Sequence, residues 1–230
     1  MSGQPVVLER VTTPRGELAL RRVGEHFEII SNGTFLMDTR SGRSERLLVT
    51  AATSRHPSPE RVLIAGLGVG FSLLAALADD RATRVVVVEV ESVLVAWHGT
   101  HLAPLTSTAF ADPRAEIVMA DLLDHLRSTD ERYDVICLDI DNGPDWTVTA
   151  ANRALYDAAG TALLASRLAS GGVLSVWSAA RSPAYEAVLA ESFERVETER
   201  VEIARGEPDI VMVGIGPRGV RRRDDNHDCS

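Results

Sequence analysis

The chain has 230 residues, 45% of them hydrophobic and 25% charged, and a formal net charge of −9. That length supports one sizeable core rather than two ordinary domains, with the composition of a soluble globular protein. The acidic balance excludes a general nucleic-acid binder, which needs basic patches, and no run reaches the roughly 18 apolar residues of a membrane span.

The opening MSGQPVVLER lacks the basic start and apolar run of a secretory signal. VVLERV, ELALRRV, HFEIIS and TFLMDT follow as short β segments separated by TPRG, GE and SNG, which predicts a small antiparallel appendage. GRSERLLVTAATS has helical spacing and leads to a proline-marked break, HPSPE. Residues 1–54 are therefore read as an N-terminal β region with a linking helix.

From residue 61 buried strands alternate with helices. RVLIAGL, RVVVVEV, AEIVMA, YDVICLD and GGVLSVWSA are strands. VGFSLLAALADD, SVLVAWHGTHL, DLLDHLRS, a long ANRALYDAAGTALLASRLAS ending at Gly171-Gly172, and SPAYEAVLAESF are helices. Such alternation predicts an α/β fold, a doubly wound and mostly parallel sheet with helices on both faces. RVETERVEIA and PDIVMVGI then form a closing antiparallel hairpin, as in the Rossmann-like class I methyltransferase arrangement. Residues 55–216 make the catalytic domain, and 217–230 read as a polar disordered tail. Of two cysteines, Cys137 lies in an apolar run and Cys229 is next to last. This pattern suits a cytoplasmic protein without a disulfide framework or cysteine zinc site.

The turn Gly66-Leu67-Gly68-Val69-Gly70 follows a strand and opens a helix, where glycines let a nucleotide approach the backbone. Glu89, 23 residues beyond Gly66, ends the next strand and is placed to bind ribose hydroxyls, with Val90 beside it. Asp121, followed by Leu122, can accept from an adenine amino group or cap its own helix. Phe71 stands where a dinucleotide fingerprint has a small residue, and with the closing hairpin this favours S-adenosylmethionine over NAD. His98 and His101 sit three apart without an acidic motif, so no metal site is read there.

With these residues in place, the chain resembles the spermidine synthase family of aminopropyltransferases from about residue 45 to 180. RLLVTAATSRHPSPERVLIAG, VVEVE, Asp112-Pro113-Arg114 through Asp121, Tyr133 to Asp139, and Asn152 to Leu174 carry the resemblance. It implies S-adenosylmethionine or its decarboxylated form as cofactor, a small amine-like acceptor, and a homodimer contact through the N-terminal β region. The family's glycine turn carries an aspartate where this chain has Val69, which favours intact S-adenosylmethionine and thus methyl or aminocarboxypropyl transfer. Its D-S-S-D-P stretch corresponds to Asp139-Ile140-Asp141-Asn142-Gly143, and the tyrosine before its Gln-Glu pair to Ser44, followed by Glu45 and Arg46. The resemblance places Asp139 beside the sulfonium to orient the amine, with Asp141 as second acid. Asn142 and Trp146 are expected to form an acceptor-pocket wall, with Asp145 on the same loop as a further acceptor-binding residue. Aminopropyl transfer from the decarboxylated cofactor is the alternative, and a binding homologue without chemistry the second.

Overall fold

The computed structural model describes residues 4–140, 142–147, 150–203 and 207–219. The four N-terminal segments form one antiparallel sheet, β1 (Val6–Thr13), β2 (Gly16–Val23), β3 (His26–Ser31) and β4 (Thr34–Asp38), in that order. Between β3 and β4, Asn32 and Gly33 both take positive φ, as a two-residue hairpin turn requires. Leu18, Leu20 and Ile29 leave this sheet's inner face and pack with Val69, Phe71, Leu94, Trp97 and Leu102 of the main domain. The appendage expected from the sequence thus shares a core with the main domain.

The main domain runs through α1 (Arg43–Thr53), β5 (Arg61–Ala65), α2 (Phe71–Leu77), β6 (Arg84–Glu89), α3 (Ser92–His98), α4 (Ala103–Phe110), β7 (Ala115–Met119) and α5 (Leu122–Ser128). It continues through β8 (Tyr133–Leu138), α6 (Arg153–Tyr156), α7 (Ala158–Ser166), β9 (Leu168–Ser178), α8 (Pro183–Ser192), β10 (Phe193–Val201) and β11 (Asp209–Pro217). The sheet order is β10-β11-β9-β8-β5-β6-β7, parallel except for β11 and β10. Strand residues alternate between two cores because successive side chains leave opposite faces. Leu63, Ile136 and Leu174 meet α5 to α8, while Val62, Ile64 and Val135 meet α1 and α2. Cys137 lies among the latter, where burial pushes its thiol up to about 12 and leaves it unreactive at neutral pH.

Two helical expectations change. The single helix from residue 151 to 170 is broken: Asp157 is extended and caps α7 by accepting from Gly160 N at 2.8 Å, and β9 starts at Leu168, before the Gly171-Gly172 pair. The segment after His98 holds a second helix, α4, opened by a proline in its first turn. The polar tail falls mostly on residues 220–230, outside the described residues.

Candidate active site

Two cavities meet at the ends where the parallel strands of the main sheet stop, the position at which open α/β sheets bind ligands. One, of about 320 Å³, is lined by the glycine turn, Glu89, Val90, Asp121 and Leu122. The other, of about 630 Å³, is lined by the start of α1, the loop after β8, Trp177 and the ends of the β10–β11 hairpin. Leu36, Met37, Asp139 and Ile140 line both.

The smaller cavity is built around the turn. Gly66 has φ 94°, and a Cβ there would fall 2.2 Å from the Asp139 carbonyl oxygen, so only glycine lets β5 and β8 finish side by side. The Glu89 carboxylate accepts from three backbone N–H groups, Leu67 on Oε2 and Val90 and Glu91 on Oε1, each at 2.8 Å. Burial pushes its pKa up against the pull of those bonds. Asp121 caps α5, with Oδ1 accepting from Leu123 N and Asp124 N at 2.9 and 3.3 Å. It lines the cavity as well, so the capping and binding readings coexist in one side chain. The N-terminal sheet supplies the roof: Met37 sits over Gly68, and Thr13 Oγ1 donates to Glu91 Oε1 at 3.2 Å.

At the junction Asp139 Oδ2 accepts from Ser72 Oγ at 2.7 Å. Its pKa is pushed up to about 6 by burial, opposed by the Ser72 bond and reinforced by the charge of Glu89. Glu45 is pushed up to about 7, first by burial and then by the charge of Asp139, with Asp209 adding to it. Ser44 Oγ donates to Asp209 Oδ2 at 2.5 Å, tying α1 to the start of β11. The wall residue Trp177 has a buried indole N–H without a hydrogen-bond partner among the described residues.

The structure brings together Gly66, Gly68, Glu89, Val90, Asp121, Leu122 and Asp139 around one cavity, and Asn142 and Trp146 at the other. Gly70 and Val69 belong to the turn but do not line either cavity. The Val69 side chain is 2% exposed and packs beneath the N-terminal sheet, because apolar surface is available there. It therefore does not face a ligand tail as the sequence comparison suggested. Asp145 is exposed and outside the cavity lining, and Asp141 lies outside the described residues. Glu45, Ser72 and Asp209 are additions to the site expected from sequence. A signal for Asp209 exists: β11 runs antiparallel to β9, so its first residue reaches the end of the sheet where the parallel strands finish.

Residues 43–213 match the spermine/spermidine synthase domain. The chain belongs to this family. Polyamine aminopropyltransferase 2 of Pseudomonas aeruginosa is 37% identical over 134 residues, covering 56% of this chain and 36% of the relative. Polyamine aminopropyltransferase 1 of Hyperthermus butylicus is 32% identical over 152 residues, covering 65% and 49%. This family member spans a third to a half of the length of such curated relatives. In fold it is similar to the spermidine synthase of Thermotoga maritima, with TM-score 0.74 and 19% identity over 94% of this chain and 73% of the other. It is equally similar to a spermidine synthase in complex with the transition state analogue AdoDATO, with TM-score 0.77, 20% identity and coverage of 94% and 74%.

Proposed function

We propose that the chain transfers an aminopropyl group from decarboxylated S-adenosylmethionine to a primary amine. The observation that carries this reading is the junction of the two cavities. Its four shared residues supply one carboxylate, Asp139, and no cation. An intact donor would bring a second carboxylate toward Asp139, with the arginines of the two linings, Arg15, Arg127 and Arg43, outside the junction, whereas a decarboxylated donor presents only an ammonium. The names of the relatives speak for the same alternative, over the methyl or aminocarboxypropyl transfer favoured by Val69 in the sequence.

The residues present fit such a donor: Glu89 and Asp121 toward the ribose and adenine, Met37 as roof, and Asp139 toward the aminopropyl ammonium. Bound there, the donor supplies an electrophilic carbon next to its sulfonium, and displacement by an amine leaves 5′-methylthioadenosine. The acceptor amine must first lose a proton. Glu45, held near 7, can take it at neutral pH, while Asp209 adds negative charge to the cavity that receives the cation.

The test is product analysis with each donor form and a series of primary amines, from diamines to longer polyamines. The expected outcome is 5′-methylthioadenosine and an aminopropylated amine from the decarboxylated donor. S-adenosylhomocysteine from the intact donor would replace this reading with methyl transfer.

A further inference from the structure

We infer that His98 is a positioning residue for the nucleotide-binding turn, holding the Gly68 carbonyl so that the turn keeps its shape beneath a ligand. This rests on the adenosyl-nucleotide reading of the smaller cavity. His98 is 2% exposed, its Nε2 lies 3.0 Å from Gly68 O and its Nδ1 lies 2.8 Å from Thr106 Oγ1. Its ring stacks on Phe110, with centroids 5.0 Å apart and an interplanar angle of 18°.

A carbonyl only accepts, so Nε2 carries the proton and donates to Gly68. In the neutral ring Nδ1 is then an acceptor, and the Thr106 hydroxyl, which also lies 3.1 Å from the Leu102 carbonyl oxygen, is the donor within reach of it at 2.8 Å. Burial lowers the pKa of His98, which favours the neutral ring, and the Gly68 carbonyl selects the tautomer. Glu89 holds the Leu67 N–H on one side of the turn, and His98 holds the next residue's carbonyl on the other. In a planar trans peptide the C=O and N–H point in opposite directions. Anchoring the Gly68 carbonyl on His98 therefore turns the Val69 N–H away from the histidine and fixes the rotation of that peptide. This bond accounts for a histidine on α3 that the chemistry itself does not use.

The test is calorimetric binding of 5′-methylthioadenosine, which requires no turnover, to wild type and to His98→Leu, His98→Gln and Thr106→Val. Glutamine can donate to Gly68 and accept from Thr106; leucine can do neither. His98→Leu should bind roughly 10-fold or more weakly, the scale on which a small misplacement of a positioned group acts. His98→Gln should recover most of that affinity, and kcat at saturating donor should stay near wild type in both. If His98→Leu does not fold, Thr106→Val, which removes the hydroxyl that orients the ring through Nδ1, should weaken binding by less than the roughly 10-fold expected for leucine, and wild-type affinity in Thr106→Val would overturn the inference. Equal affinity of leucine and wild-type proteins, or no recovery with glutamine, would overturn the role of His98. Failure of the wild type itself to bind any adenosyl nucleoside would instead overturn the reading of the cavity, and the inference with it.

Discussion

Glu45 carries opposite consequences for catalysis and for stability. A carboxyl held near 7 is a usable base at physiological pH, and general-base assistance is worth about 10²–10⁴ in rate. Glu45→Gln should therefore lower kcat by about that range, and in the wild type kcat/KM should fall as pH drops through about 7. Stability moves the other way. A carboxyl raised in the folded state binds its proton more tightly there than in the unfolded chain. Its contribution is full below the ordinary glutamate range and is lost as pH rises through about 7. Glu45→Gln removes the charge that is costly above that point. The variant should be more stable than wild type at pH 8, by on the order of 1 kcal/mol, and indistinguishable near pH 4. For a chain of this size that is about 2–4 °C in Tm at pH 8, readable by calorimetry. An equal or lower Tm for the variant at pH 8 would show that Glu45 is paired rather than stranded. None of this was legible at Glu45 itself, because its burial and the charges of Asp139 and Asp209 come from segments far away in sequence. Glu89 was legible, since strand, turn and acid follow one another within a single βαβ unit.

At the scale of elements, strands were readable because buried β runs such as RVVVVE admit few other structures. Helix boundaries were less so. The segment 151–170 is apolar and alanine-rich throughout, so its pattern continues across the break at Asp157. What divides it is a local competition: the aspartate side chain offers Gly160 N–H a better partner than the preceding helix can. Gly160 also has no room for a Cβ, which would lie 1.9 Å from the Ala154 carbonyl oxygen. Asp157→Ala should cost about 1 kcal/mol, as loss of an N-cap usually does, and lower Tm correspondingly. Because α7 packs on the sheet away from both cavities, 5′-methylthioadenosine affinity should not change. A changed affinity would mean that the α6–α7 break shapes the site through Asn152 and Leu155, which line the nucleotide cavity.

Over the whole molecule, the main departure from the sequence reading is the status of the N-terminal sheet. Four short strands with alternating polarity show that a sheet exists, but not what its apolar face covers. Here that face closes over α3 and the glycine turn, and Trp97 Nε1 donates to Glu9 Oε2 on β1 at 2.7 Å. Roof and floor of the nucleotide cavity are thereby joined through one buried indole. Glu9→Ala should leave that N–H without its acceptor, at a cost of about 1–3 kcal/mol. The loss should be unevenly felt. Amides of β1 and β2 should exchange with solvent faster by hydrogen-exchange mass spectrometry, while those of β5 and β8 at the centre of the main sheet keep their protection. Nucleoside affinity should weaken together with β1 and β2 protection, since Thr13 and Met37 reach the cavity only while the sheet is seated. Faster exchange with unchanged affinity would show that the sheet covers the core without forming the site.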